Sequence, residues 1–324
     1  MIIRTPKRLH LGLIDPSGEL GRRFGAMGVA LSGGYEVKVT PSDELRINAP
    51  KEDEETIVEV LKAMNGAFET GTGYSIEVLR ALPRHVGLGS TTQLSLAVGT
   101  AVAKLNGLKV STERIAEVLG RGRNSGAGIY TFKSGGLVID GGVSGRNVPP
   151  LIVRHDFPES WAFLLVTPEL KPGFDEREEQ PIMSSVGGDP LAAREISHRI
   201  LLGLLPALIE RNIRDFGRHL TAIQRLVGRH FGSHQGGEFR EDVKPIIDFL
   251  TEKTYGYGQS SWGPTVYGLI LRDGGEELAE EARDYLREHG IKGSVEVGMP
   301  QNTGAEVVNE NAFLERLIKS VSSG

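Results

Sequence analysis

The placement of glycine constrains this chain more than any other feature. Of its 43 glycines, 22 fall in four stretches, residues 12–34, 87–89, 120–145 and 256–268, which together make up a fifth of the length. Low-complexity linkers also concentrate glycine, but with serine or proline repeats and without bulky apolar residues. Here the glycines alternate with Leu, Ile, Val and Phe. They predict ordered turns and close backbone approaches.

Between these loops the hydrophobic periodicity changes repeatedly. Alternation predicts strands over residues 7–14 and 29–40, the second with Tyr35, Val37 and Val39 on one face. The spacing of Ile57, Val60, Leu61 and Met64 predicts a helix over 51–69. A strand over 74–82 leads into the loop 87–93 and an apolar helix that stops at Asn106-Gly107. Ser111 or Thr112 opens a short helix through Leu119, and 137–140 reads as a strand. After Pro149-Pro150 the pattern restarts. It predicts a strand over 161–167, a charged loop, helical stretches over 190–228, a helix over 242–253 and a glycine loop over 256–263. A strand or helix start at 266–271, a helix over 276–289 and a strand over 293–297 follow. With 324 residues the chain has length for two domains, and the boundary is expected near Arg154, giving domains 1–154 and 155–324.

Composition removes several function classes. Without cysteine there is no disulfide framework, thiolate metal site or cysteine nucleophile. The longest apolar run, residues 161–166, is far short of the roughly 20 residues that span a bilayer, and Arg4, Lys7, Arg8 and His10 interrupt any leader-like core. A soluble, cytoplasmic protein is expected, with no membrane partner. A net charge of -5 offers no broad field for nucleic acid, so an anionic ligand would need a local site.

Residues 83–93, Pro83-Arg84-His85-Val86-Gly87-Leu88-Gly89-Ser90-Thr91-Thr92-Gln93, have the makings of one. Glycines let backbone wrap an oxyanion, and the helix N-terminus supplies unpaired amides and a positive dipole end. A plain turn capped by Ser90 is the alternative, and the three successive hydroxyls favour phosphate. No Gly-Lys-Ser/Thr follows and the third Rossmann glycine is missing, so it is neither of those phosphate motifs.

The Pro-x-x-x-Gly-Leu-Gly-Ser-Ser/Thr pattern resembles the phosphate loop of the galactokinase, homoserine kinase, mevalonate kinase and phosphomevalonate kinase superfamily. That resemblance implies a two-domain α+β fold of this kinase-like type, its N-terminal domain like ribosomal protein S5 domain 2 and its C-terminal domain ferredoxin-like. Two departures stand against kinase chemistry. Where many of these kinases carry Pro-Ser-Gly-x-Asp, this chain has Asn124-Ser125-Gly126-Ala127-Gly128, and a glycine cannot orient a proton. Where they have a run of small residues, it has Gln259-Ser260-Ser261-Trp262-Gly263-Pro264-Thr265.

These departures, with Lys7-Arg8-Leu9-His10-Leu11-Gly12-Leu13-Ile14-Asp15, the run from Arg22-Arg23-Phe24-Gly25 to Leu31, Gly120-Arg121-Gly122, Ile223-Gln224 and Gln235-Gly236-Gly237, resemble the β-ribofuranosylaminobenzene 5'-phosphate synthase family from residue 5 to 270. The resemblance implies condensation of phosphoribosyl pyrophosphate with 4-aminobenzoate or a close 4-substituted benzoate, releasing pyrophosphate and carbon dioxide, as an early step of methanopterin synthesis. It also implies magnesium, no organic cofactor, small-molecule substrates and a homodimer. A kinase of the same superfamily and a non-catalytic ligand sensor are the competing readings.

On this reading Gly87, Leu88, Gly89, Ser90, Thr91, Thr92, Gln93 and Ser125 would bind phosphate, with Ser90 or Thr91 also touching magnesium. Asp15, Arg22 and Arg23 would be catalytic, though an Asp-Pro-Ser-Gly turn and two solvated arginines explain them as well. His10, Arg121, Gln259, Ser260, Ser261 and Trp262 would contact substrate, Trp262 by stacking on the aromatic acceptor. Either Arg121 or Arg123 would serve an anion. A structural histidine at His10 and core packing at Trp262 stay open. His230 and His234 have i, i+4 spacing but lack a third ligand, and Glu176, Glu178 and Glu179 form an acidic run that is usually solvated.

Overall fold

The computed structural model describes residues 1–308 apart from 146, 147, 172, 174, 175 and 186. The chain opens with β1 (Ile2–Arg4), β2 (Lys7–Asp15), β3 (Phe24–Leu31), β4 (Glu36–Pro41) and β5 (Arg46–Asn48), then α1 (Lys51–Phe68) and β6 (Tyr74–Arg80). Three helices follow, α2 (Ser90–Leu105), α3 (Thr112–Val118) and α4 (Ala127–Ser134), before β7 (Leu137–Asp140), β8 (Leu151–His155) and β9 (Trp161–Pro168). Next come α5 (Glu176–Ser185) and α6 (Pro190–Arg199), which runs through a π-helical turn (Ile200–Leu204) into α7 (Leu205–Ile209) and the long α8 (Ile213–Gln235). The remainder is α9 (Lys244–Lys253), β10 (Gly256–Gln259), β11 (Val266–Leu271), α10 (Gly275–Glu288), β12 (Gly293–Gly298) and β13 (Glu306–Val308).

Three sheets organise these elements. One has the order β13-β1-β4-β6-β5, a second β2-β3-β7-β8 and a third β10-β11-β9-β12. The apolar stripes of α1 and α2 cover the first sheet, burying Ile57, Met64, Leu94 and Val98 against Ile3, Val37 and Ile76. A second core joins the other two sheets: Leu9, Leu11, Met27 and Val29 meet Phe163, Tyr267, Phe216 and Leu220. There α8 lies against both β2 and β10. That sandwich places the loops at the ends of β2, α2, α4 and β10 around one space. Arg154 lies in β8, paired with β7, and β13 returns from the end of the described chain to pair with β1.

The elements depart from the sequence reading where glycine serves close packing. Residues 29–40 are two strands in different sheets, not one. At the break, Ser32-Gly33-Gly34, the backbone packs so closely that a Cβ on Gly34 would sit 2.3 Å from the carbonyl oxygen of Pro6. Residues 256–259 are a strand, not a loop, and Gly256 is small because α8 crosses there: its Cβ would lie 2.3 Å from the oxygen of Gly217. Residues 266–271 resolve to a strand. The charged stretch after β9 contains α5, where the side chains of Glu176, Glu178 and Glu179 lie outside the described residues. Helix α4, buried on Ile129, Tyr130 and Phe132, is hidden in the sequence among the glycines around it.

Candidate functional site

The loop between β6 and α2 is built from both ends. Arg84 ion-pairs with the fully buried Asp53 of α1, Nε to Oδ1 at 3.4 Å, and Tyr35 donates to the same oxygen at 3.0 Å. Burial raises the Asp53 carboxyl above the usual range, against the hydrogen bond from Tyr35 and the charge of Arg84. Beyond this anchor Gly87 and Gly89 adopt positive φ, and Gly89 caps α2 with no side-chain hydrogen bond and no acid in the first turn. The helix N-terminus therefore opens into a groove of about 120 Å³ lined by Arg8, Gly87, Gly89, Ser90, Thr91 and Thr92, as an anion site requires.

Arg8 is the residue that the sequence reading passed over. Its amide donates to the Leu88 carbonyl at 3.0 Å, and a Cβ on Gly89 would lie 3.1 Å from its own Cβ, so the glycine leaves room for the arginine stem. The period-two signal was present, since alternation puts Arg8 on the strand face of His10.

A second cavity of about 160 Å³ adjoins the groove, and Arg8, Thr92, Ser261 and Trp262 line both. A dry apolar cavity of roughly 150 Å³ accommodates benzene, so this one fits a single aromatic ring. Its apolar wall comes from Leu13, Met183, Val227, Phe231 and Trp262, and the last two meet edge to face at 4.8 Å. Its polar wall comes from His10, Gln224, Gln235, Gln259, Arg123 and Ser125.

Three glutamines fix one another. The Gln259 amide N–H donates to Gln224 Oε1 at 3.0 Å, and Gln259 Nε2 donates to the Ser261 carbonyl at 2.9 Å and to Gln235 Oε1 at 3.3 Å. Gln235 Nε2 donates to the carbonyls of Gly237 and Glu238, each at 3.0 Å.

Several sequence candidates have framework positions. Ser260 is fully buried, accepts from the His10 amide at 2.9 Å and donates to the Gly87 carbonyl at 2.6 Å, tying β2, the Trp262 turn and the loop between β6 and α2 together. Gln93 is also fully buried and donates to the Gly128 carbonyl at 2.9 Å, and Leu88 is a core side chain. Gly128 itself lines the cavity. A Cβ there would lie 3.0 Å from Thr92 Cγ2, so Thr92 crowds the place where the kinases carry their aspartate.

Asp15 accepts hydrogen bonds from Ser17 and from the Gly18 amide in an Asx-type turn. Arg22 donates to the carbonyls of Gly141 and Gly142 at 2.7 and 2.9 Å. Arg23 donates to those of Pro16 and Met183 and lines a neighbouring groove that shares Arg123, Asn124, Gln180 and Met183 with the central cavity. Of the two arginines near Ser125, Arg123 lines the cavity; Arg121 lines a neighbouring hollow that shares Gly122 and Arg123 with it. The burial of His230 lowers its pKa, opposed by Asp189 and Asp15. Among the described residues no cluster of three or more His, Asp or Glu is arranged to hold a metal ion.

Asp140 was not anticipated either. This carboxylate is 1% exposed, accepts from the amides of Gly126 at 2.8 Å and Gly142 at 2.9 Å, and so holds the start of α4 and the turn after β7. Burial pushes its pKa up to about 6, while the amides of Gly142, Gly126, Ala26 and Ala127 work the other way. An acid closing an apolar strand before Gly141-Gly142 was the available signal.

The chain matches the GHMP kinases N-terminal domain over residues 55–136 and the GHMP kinases C-terminal domain over 204–292. It superimposes on the mevalonate kinase of Methanococcus jannaschii with a TM-score of 0.66 at 17% identity, covering 93% of this chain and 98% of that one. For the galactokinase of Lactococcus lactis complexed with galactose the TM-score is 0.65 at 12% identity, with 95% of both chains covered. These establish the two-domain α+β kinase-like fold. Closer in sequence are proteins named beta-ribofuranosylphenol 5'-phosphate synthase. That of Archaeoglobus fulgidus is 37% identical over 94% of this chain and 98% of its own, and that of Methanocaldococcus jannaschii 32% over 95% and 100%. The chain belongs to this synthase family. In this chain the kinase-like framework carries an uncapped α2, a ring-sized cavity and a glycine at 128. Among the described residues no helix is long and apolar enough to cross a membrane.

Proposed function

We propose that the protein joins phosphoribosyl pyrophosphate to the ring carbon of a 4-substituted benzoate, 4-aminobenzoate or its 4-hydroxy counterpart, releasing pyrophosphate and carbon dioxide in methanopterin synthesis. The observation that carries this reading is the pair of adjoining spaces, a groove at an uncapped helix N-terminus and a ring-sized cavity, with Arg8, Thr92, Ser261 and Trp262 common to both. The relatives' name specifies a ribosylated phenol, which favours a hydroxyl opposite the carboxylate.

In this reading the diphosphate lies over Gly87 to Thr92, its charge met by the helix dipole, the hydroxyls and Arg8. As the bond from ribose C1 to the diphosphate oxygen breaks, the electron pair leaves with the diphosphate and C1 becomes electron-poor. The ring carbon bearing the carboxylate, made electron-rich by the para amine or hydroxyl, attacks C1. The bond to the carboxylate then breaks, its electrons restore the aromatic ring, and carbon dioxide departs. No protein nucleophile takes part. Trp262 and Phe231 hold the ring at the junction, and Arg123 supplies a cation for the 5'-phosphate.

Among the described residues no acid lines the groove and Glu238 is the one acid on the cavity wall, which does not suit an all-protein magnesium cage. Magnesium carried by the diphosphate fits better, since it is commonly held by substrate phosphates and a few protein oxygens; the hydroxyls of Ser90 and Thr91 would meet it there. Cytoplasmic location and a homodimer remain part of the proposal.

Incubation with magnesium, phosphoribosyl pyrophosphate and 4-hydroxybenzoate or 4-aminobenzoate should yield one pyrophosphate per benzoate consumed. Formation of ADP from ATP with an alcohol acceptor, and no pyrophosphate, would favour a kinase instead.

A further inference from the structure

The strand that forms the floor of the cavity carries a β-bulge. The register between β2 and β3 shifts between His10 and Gly12, and Gly12 takes a φ of 124°. Bulges of this kind re-aim side chains next to functional sites. Here the bulge brings two buried polar side chains to one place.

The first is His10, 6% exposed and lining the cavity. The Gly12 amide donates to its Nδ1 at 3.2 Å. A peptide N–H can only donate, so Nδ1 carries no proton and the neutral ring has its proton on Nε2. Burial, and secondarily the charge of Arg8, push the His10 pKa down to about 3, so the ring stays neutral at ordinary pH. The second is Gln224, 4% exposed and also lining the cavity. Its Oε1 is taken by the Gln259 amide, which leaves Nε2 as the donor. That Nε2 lies 3.3 Å from where a Cβ on Gly12 would stand. Gly12 therefore sits between the two side chains, its amide on the His10 ring and its missing side chain leaving room for the Gln224 amide, and both residues line the cavity with Leu13, Val227 and Phe231.

We infer that His10 Nε2–H and Gln224 Nε2–H form a neutral two-donor subsite for the carboxylate of the aromatic acceptor. The inference rests on the reading given under Proposed function. The groove meets a diphosphate with the open α2 N-terminus and its hydroxyls, whereas the two donors that His10 and Gln224 offer in the cavity are themselves neutral, with the Arg8 charge beside them shared between both spaces. That suits a monoanion that must leave as neutral carbon dioxide. A guanidinium would add an ion pair to the hydrogen bonds and so stabilise the bound carboxylate more than the transition state in which its charge is lost. Neutral donors orient the group and leave it poorly solvated.

Gln224→Glu provides the sharpest test, because Glu keeps an oxygen for the Gln259 amide and exchanges only the donor nitrogen for an acceptor. Equilibrium dialysis would measure labelled 4-hydroxybenzoate, phenol and pyrophosphate against the full-length protein. Benzoate affinity should fall at least about tenfold, the scale of one hydrogen bond to a charged group, while phenol and pyrophosphate affinities stay within about twofold. His10→Leu should show the same selectivity in a variant that introduces no new charge. Benzoate affinity within twofold of wild type in both variants would overturn the inference. So would an equal loss of phenol, which would make the effect one of cavity shape, or a loss of pyrophosphate, which would assign the donors to the diphosphate. Wild-type protein that binds pyrophosphate but no benzoate would instead bring down the functional reading itself.

Discussion

Two glycine-rich helix starts face the same space, and they treat charge in opposite ways. At α2 the cap is Gly89, the first turn holds no acid, and the groove beside it is lined by hydroxyls and Arg8. At α4 the amide of the capping Gly126 donates to Asp140, a buried carboxylate belonging to the protein itself. Both termini have the amides and dipole that attract an anion. One is open for a ligand, while the other has its anion built in. Glycine at a helix start is thus not enough to mark a phosphate site; what decides is whether the fold has already satisfied the dipole.

The contrast can be broken from the α2 side. Thr91→Asp would give α2 an internal anion like that of α4. Phosphoribosyl pyrophosphate affinity should fall by roughly a hundredfold, while thermal stability holds or rises, since an acid in a first turn contributes about 0.3–1 kcal/mol. A calorimetric titration beside a melting curve separates the two, and unchanged affinity would mean that the diphosphate lies elsewhere. A milder change is Ser90→Ala with Thr91→Ala, which leaves the dipole and removes two donors. It should weaken the same ligand about tenfold or more with an unaltered circular dichroism spectrum.

On the cavity side, Trp262→Ala should raise the KM for the benzoate about tenfold while the KM for phosphoribosyl pyrophosphate moves little. An effect on the second substrate alone would return Trp262 to the framework.

The remaining effect concerns α4 and is read in stability. Burial raises Asp140 to about 6 from 3.8, so the folded protein binds this proton more readily than the unfolded chain. Stability from this group therefore increases as pH falls from 7 through 6 towards 4, and is lost as pH rises again. In urea unfolding, wild type should gain on the order of 2 kcal/mol relative to Asp140→Asn across that window. A gap that narrows on acidification would show that the amides outweigh burial.

The sequence carried the open site better than the closed one. Gly87 to Thr92 is contiguous, so a strand, two glycines and a helix start could be read directly from neighbouring letters. Strands β2, β6, β7 and β9 and helices α1, α2 and α10 were legible for the same local reason. Asp140 and Gly126 are fourteen positions apart, and only the packing of β7 against α4 makes them partners. Ser260 drew notice as part of a motif, but its task, joining His10 to Gly87, spans 250 residues on one side and 173 on the other. Arg8 was visible by alternation alone. Its importance depends on Gly89, which lies in another element and makes room for it.

Carboxyl-labelled 4-hydroxybenzoate or 4-aminobenzoate, given to the purified protein with magnesium, tests the account most directly. Labelled carbon dioxide should appear only when phosphoribosyl pyrophosphate is present, in equal amount to pyrophosphate, and the Ser90→Ala, Thr91→Ala protein should release it far more slowly. Pyrophosphate formation with the label retained in the benzoate, or no reaction with either acceptor, would contradict it.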